Sequence, residues 1–209
     1  DIGSGYGGLI SKFYKKKKFK IIAIDLPESH FLSAYYLKSL HPKIKILYSF
    51  QIKKKINSKE LKKYDLFLIY PWDIFPSQKM DLFINTRSMM EMNINVIKKY
   101  FALIQKKSKN GSYFLNINRY YQDTTGYPTY PYDNFWKIKF SKSSWRQEHI
   151  HSMLTVRTKD SHNDIKNEQK KIKKIMLEKI KGDTRFVRRI LPNSIYKIYK
   201  FMKGLMIKN

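Results

Sequence analysis

The first eight residues, Asp1-Ile2-Gly3-Ser4-Gly5-Tyr6-Gly7-Gly8, hold four glycines and run straight into an apolar-periodic stretch, Leu9, Ile10 and Phe13. A loop this dense in glycine joins a buried strand to the N-terminus of a helix. Glycine is needed where the backbone takes positive φ or where a ligand must approach it closely, and the following helix offers free N–H groups and the positive end of its dipole. The loop is therefore built to receive a ligand. The strand expected to feed it is absent, so the chain reads as a fragment that lacks its first strand.

Two ligands compete for the loop. Gly3, Gly5 and Gly8 satisfy G-x-G-x-x-G, and Asp25 ends the next apolar run, Ile21-Ile22-Ala23-Ile24, which together make a dinucleotide fingerprint. Gly3, Gly5 and Gly7 equally satisfy G-x-G-x-G, and Asp1 stands two residues before the first glycine, where dehydrogenases carry an apolar side chain. A carboxylate there suits a cationic cofactor. The spacing D-x-G-x-G-x-G resembles motif I of class I S-adenosylmethionine-dependent methyltransferases. That resemblance implies that Asp1 orders the amino-acid end of S-adenosyl-L-methionine, that Gly3, Ser4, Gly5 and Gly7 cradle it, and that Asp25 with Leu26 receives the ribose hydroxyls. The alternative for Asp25 is a cap on the helix opened by Pro27.

Further along, Phe31, Leu32, Tyr35, Tyr36 and Leu40 recur at helical spacing until His41-Pro42 stops them. Strands are expected at Ile44–Phe50, Leu66–Tyr70, Asp81–Thr86 and Tyr113–Ile117, with a long helix from Met89 to Gln105 capped by Ser88. Ile150–Arg157 is a further strand candidate, and Trp136 and Trp145, with the alternation Phe135–Phe140, suit the antiparallel strands that usually complete the sheet of such a fold. The fold class is α/β and Rossmann-like: a mostly parallel sheet flanked by helices, of the class I methyltransferase kind, with a helical C-terminal tail. Residues 1–160 form the catalytic domain and 161–209 a basic amphipathic appendage. A chain of 209 residues, 42% hydrophobic, can bury such a core, and the absence of cysteine excludes a disulfide scaffold, a thiolate zinc site and a thiol nucleophile.

A second signature is more specific than the loop. Asp25-Leu26-Pro27-Glu28, the Tyr35-Tyr36-Leu37 helix, Asn85-Thr86-Arg87-Ser88-Met89-Met90-Glu91-Met92 and Tyr113-Phe114-Leu115-Asn116-Ile117-Asn118-Arg119-Tyr120 resemble, in order, the sugar O-methyltransferase family over residues 1 to 157. The resemblance implies methyl transfer from S-adenosylmethionine to a sugar hydroxyl in glycan or surface-polysaccharide biosynthesis. The loop after the fourth strand would then face the transferred methyl, with Asn85 at the cofactor, Ser88 and Glu91 lining the reaction site, and Ser88, Asn118, Arg119 and Tyr120 at the acceptor. The N/D-P-P-Y/F run of enzymes that methylate exocyclic amines is absent.

Transfer to a hydroxyl needs a positioned oxygen and a base. Glu91 is the first candidate, a carboxylate partly desolvated at a helix start, although Ser88 three residues earlier also makes Ser-x-x-Glu a capping box. His149 and His151 form an H-x-H pair that a strand would point to one face, as base or substrate contact, with no metal site expected. His30, His41 and His162 read as surface residues. The stretch from Tyr120 to Trp136, with Tyr127-Pro128-Thr129-Tyr130-Pro131-Tyr132, suits either sugar stacking or packing of its tyrosines on the core.

In the tail, Ile172, Ile175, Met176 and Ile180 share one helical face, and Pro192 opens a second basic amphipathic helix that suits an anionic membrane surface or a partner. The chain carries 43 Lys+Arg against 16 Asp+Glu, a net charge of +27. That excess fits polyanion binding or an A/T-rich coding bias, and no specific nucleic acid partner is expected. The location implied is the cytoplasm, with peripheral contact at the membrane's inner face. The rival readings are an RNA 2′-O-methyltransferase, a nicotinamide-dependent sugar oxidoreductase, and a degenerate non-catalytic subunit.

Overall fold

The computed structural model describes residues 1–16, 19–52, 56–73, 75–122 and 125–182. Among the described residues there are five α-helices, α1 (Gly8–Lys15), α2 (Pro27–Leu40), α3 (Ser58–Lys63), α4 (Ile94–Lys107) and α5 (Asp164–Gly182), the first four interspersed with the parallel strands. The strands are β1 (Ile21–Ile24), β2 (Ile46–Tyr48), β3 (Leu66–Ile69), β4 (Met80–Thr86), β5 (Ser108–Arg119), β6 (Tyr121–Gln122), β7 (Thr125–Gly126), β8 (Trp136–Ser143) and β9 (Ile150–Arg157).

β3 pairs in parallel with β1 on one side and β2 on the other, and β4 pairs in parallel with β5. Ile2 joins the two groups, bridging Ile24 and Asn85 in parallel. Its N–H donates to the Ile84 carbonyl over 2.9 Å, and the Gly3 N–H donates to Ile24 over 2.8 Å. β9 lies antiparallel between β5 and β8, so across the molecule the order is β2, β3, β1, Ile2, β4, β5, β9, β8. This is a Rossmann-like α/β fold with an antiparallel pair at one edge. β3 lies between β1 and β2 and is covered on both faces: Leu66, Phe67, Leu68 and Ile69 are all buried, and such a strand reads as an unbroken apolar run.

Two apolar layers sandwich the sheet. One holds Phe67, Phe83, Ile97, Phe101, Phe114 and Trp136 under α4, and Ile165, Ile172 and Met176 of α5 join it. The other holds Ile10, Ala23, Leu37, Leu66 and Leu68 under α1 and α2. The second tail helix, from Pro192, lies outside the described residues. No helix among the described residues is long and apolar enough to cross a membrane.

Two helices differ from the expectation. The long helix from Met89 is instead a 3₁₀ turn, Met89–Glu91, followed by α4, whose N-cap is Asn93: its Oδ1 accepts the Val96 N–H over 3.0 Å. Ser88 makes no cap bond. In α2 the buried face is His30, Ser33 and Leu37, whereas Phe31 (75% exposed), Leu32, Tyr35 and Leu40 point to solvent. The reason is close packing. A β-carbon on Gly7 would lie 2.7 Å from Ser33 Oγ and 3.1 Å from a Leu37 methyl, so α2 meets the glycine loop through its small side chains.

Candidate active site

The glycine loop folds as its composition demands. Gly3, Gly5 and Gly7 take φ of 71°, 55° and 87°, the left-handed region in which a β-carbon is strained. Gly7 is the N-cap of α1, which has no side-chain cap and no acid in its first turn, so its leading N–H groups are left for another acceptor. Gly5 has open space where a β-carbon would stand. Its N–H donates to Asp25 Oδ2 over 2.7 Å, and Asp25 Oδ1 accepts the Leu26 N–H over 2.8 Å. Asp25 is thus a half-buried carboxylate at the end of β1, directly beside the loop, with a lone pair remaining on each oxygen. Asp25 faces the loop and holds the Leu26 N–H just ahead of α2, whose N-cap, Leu26, makes no side-chain cap bond, so Asp25 does not serve as the helix cap.

Three orphaned polar groups cluster around this point: Ser4 Oγ, Ser33 Oγ and both ring nitrogens of His30 are buried without a partner. His30 stacks on Tyr70, 5.8 Å between centroids, and burial lowers its pKa while Asp25 and Asp73 oppose that shift. It is not the surface residue expected. Its place at i, i+3, i+7 with Ser33 and Leu37 is the signal that the aromatic residues on the other face of α2 obscured. Burial, with the Asp25 carboxylate adding to it, pushes the phenol of Tyr100 in α4 up to about 12 and keeps it a hydrogen-bond donor. Asp1 is half-buried, its carbonyl accepting the Ile24 N–H over 2.9 Å.

A separate cavity of about 600 Å³ opens between β1 and β4, lined by Phe13, Phe19, Ile22, Phe75, Leu82 and Leu103. It runs from Ile21 and Met80 at the amino ends of these strands to Ile24 and Ile84 nearer their carboxyl ends, and Asp1 and Ile2 also line it.

The loop after β4 comes to the glycine loop and seals against it. A β-carbon on Gly3 would lie 2.0 Å from Ser88 Oγ. Ser88 Oγ donates to the Ile2 carbonyl over 3.0 Å, and Asn85 Nδ2 donates to that carbonyl over 2.7 Å and also bonds Ser88. Asn85 is fully enclosed, so its part in the site is to hold the loop. Arg87, exposed, takes φ of 65°, a strained angle for a residue with a β-carbon, and its side chain bonds Gln147.

Several expected site residues stand differently. Glu91 is exposed on the 3₁₀ turn, not desolvated, and its backbone N–H bonds the Ser88 carbonyl, so the capping box does not form. His149 lies half-buried in the turn before β9, while His151 is inside the strand and 2% exposed; the two do not share a strand face. His151 Nε2 is 2.7 Å from Ser141 Oγ, and its ring meets Tyr120 and Tyr127. Burial lowers its pKa to about 4, with Lys171 adding to the effect, so the imidazole is neutral and enclosed. Asn118 and Tyr120 are fully buried and bonded within the protein, Tyr120 to Ser143, and neither presents a surface to an acceptor. Arg119 follows, half-buried, on the alternate face of β5. The tyrosine-rich loop packs on the core: Tyr127 and Tyr130 are buried, and Tyr127 OH donates to the carbonyls of Asn116 over 2.5 Å and His151 over 2.9 Å.

No family model and no curated protein matches the chain. Solved structures do. The PH0226 protein from Pyrococcus horikoshii OT3 is 9% identical over 76% of this chain and 80% of its own, with a TM-score of 0.49. A TehB-like SAM-dependent methyltransferase from Corynebacterium glutamicum is 11% identical over 76% and 78%, at 0.47. The N-methyltransferase NodS from Bradyrhizobium japonicum WM9 is 8% identical over 76% and 84%, at 0.47.

Proposed function

We propose that this chain is an S-adenosylmethionine-dependent O-methyltransferase whose acceptor is a sugar hydroxyl in glycan or surface-polysaccharide assembly. One observation carries the cofactor: a left-handed glycine loop, open at Gly5, is hydrogen-bonded to the carboxylate that ends the neighbouring strand. The residues fit that cofactor. Asp25 retains acceptor capacity for a ribose diol, and the unpartnered Ser4 Oγ and the uncapped N-terminus of α1 offer donors. The antiparallel β9 between β5 and β8 also separates this sheet from the all-parallel order 3-2-1-4-5-6 of dinucleotide enzymes, which favours the methyl donor over a nicotinamide. The sugar acceptor rests on the family resemblance of residues 85–92 and 113–120.

When bound, the cofactor supplies a methyl group on a cationic sulfur. The chain must hold the acceptor oxygen in line with it and remove a proton. Glu91 and His149 are the nominated bases that remain accessible in part; His151 is enclosed and serves the wall. Calorimetric titration with S-adenosylhomocysteine and, separately, NADH tests the reading. Binding of the first, lost in Asp25→Ala, is expected, and a screen of glycan acceptors with labelled donor follows. Binding of NADH alone overturns the reading in favour of an oxidoreductase. Steeply salt-dependent RNA binding with RNA methylation would move the acceptor to nucleic acid. Binding of neither ligand would favour the non-catalytic subunit.

A further inference from the structure

Three fully enclosed asparagines, Asn85, Asn116 and Asn118, stand together at the carboxyl ends of β4 and β5, Asn85 in register with Asn116. A buried amide destabilises unless every polar atom is bonded, so what these side chains bond defines what they do. Asn118 Nδ2 donates to Asn85 Oδ1 over 2.7 Å and to Asn116 Oδ1 over 2.5 Å, and Asn118 Oδ1 accepts the Met90 N–H over 3.1 Å. Asn85 Oδ1 accepts the Met89 N–H over 3.2 Å, and Asn85 Nδ2 reaches the Ile2 carbonyl at the root of the glycine loop. At the far end Asn116 Nδ2 donates to the hydroxyl of Tyr132 over 3.2 Å.

We propose that Asn118 is a positioning residue: through Asn85 it locks the Met89–Glu91 turn to the glycine loop, so that the cofactor cradle and the turn bearing Glu91 move as one body. Both N–H groups of its amide are spent on neighbouring asparagines, which leaves no donor for a ligand. The position requires a donor and an acceptor at once: a leucine supplies neither, and a carboxylate has no proton to give Asn85. Cooperative polarisation along such a chain strengthens each link in a dry interior. The consequence for turnover rests on the methyl-transfer reading; the mechanical coupling does not.

Native-state amide exchange read residue by residue tests it. In the wild-type chain, Gly3, Met89 and Met90 are expected to open as one unit, with exchange rates that converge as denaturant is added; separate openings overturn the proposal. Asn118→Ala is expected to accelerate exchange at all three by about tenfold or more, with Phe114 and Leu115 in mid-β5 moving less than about twofold. Uniform acceleration, or loosening of Met89 and Met90 with Gly3 unmoved, reduces Asn118 to a packing role and overturns it. Ser88→Ala, which cuts the shorter route to Ile2, is expected to leave Gly3 within about twofold; a tenfold change there would mean that Ser88 carries the coupling. If Asn118→Ala does not fold, the wild-type convergence decides. S-adenosylhomocysteine affinity is measured alongside and should fall about tenfold in Asn118→Ala. No binding by the wild type would refute the methyl-transfer reading while leaving the exchange result to judge the coupling.

Discussion

Gly3 and Ser88 touch so closely that no side chain fits between them: a β-carbon on the glycine would stand 2.0 Å from the serine oxygen and 2.2 Å from its β-carbon. The positive φ of Gly3 adds a conformational penalty of roughly 1–2 kcal/mol for any other residue. Gly3→Ala should therefore destabilise by about 3 kcal/mol, combining overpacking with strain. Pairing it with Ser88→Gly should recover the steric part and leave the strain, which chemical denaturation of the single and double variants would measure.

At Asp25 the two backbone N–H bonds and the expected ribose contacts all use one carboxylate. Hydrogen bonds to a charged group contribute about 1.5–3 kcal/mol each. Asp25→Asn should weaken S-adenosylhomocysteine binding by at least about tenfold while the chain stays folded, and Asp25→Ala by more. Unchanged affinity in both variants would place the cofactor elsewhere.

The outward face of α2 is dispensable for stability and its small-residue face is not. Phe31→Lys and Tyr35→Lys should each change unfolding free energy by no more than about 0.5 kcal/mol, whereas Leu37→Ala should cost about 2–5 kcal/mol. The reverse ranking in urea melts would mean that the helix is turned the other way.

Acid should unfold this protein partly through His151. Its pKa of about 4 in the folded state lies below the ordinary value near 6.5, so the folded chain holds fewer protons between those values. The associated stability is full above pH 6.5, declines as the pH falls, and is gone below about pH 4, a difference of about 3 kcal/mol. His151→Gln should flatten that part of the pH dependence, as measured by unfolding free energy at pH 7 and pH 4.

The order of strands and the glycine loop were legible because they depend on local rules: apolar runs bounded by turns, and glycines where positive φ is obligatory. β1, β3 and β9 fall within a residue or so of their expected limits. Side-chain roles were harder to read. Asn118 and Tyr120 sit in a motif rich in polar residues, which suggests ligand contact; the burial that alternates along β5, enclosing Phe114, Asn116 and Asn118, puts Asn118 on the covered side of the sheet, and Tyr120 just beyond the strand is enclosed as well. The buried face of α2 is hidden in the sequence because aromatic residues at helical spacing normally mark the core, while the approach of Gly7, distant in sequence, demands small groups instead. Glu91 reads as partly desolvated at a helix start because the proline-free run from Met89 hides the break that Asn93 imposes by capping α4 itself.

The antiparallel placement of β9 also dictates an order of assembly. β8 precedes β9 in the chain, yet among the described residues it pairs with β9 alone, because β9 separates it from β5. The two are joined by only six residues, and a hairpin of that kind closes in microseconds. The β8–β9 ribbon can therefore form before it docks on β5. During synthesis the nascent sheet stays open at the β5 edge until residue 157 has emerged, and until then the strand carrying Asn116 and Asn118 offers that edge to any other chain that can pair with it.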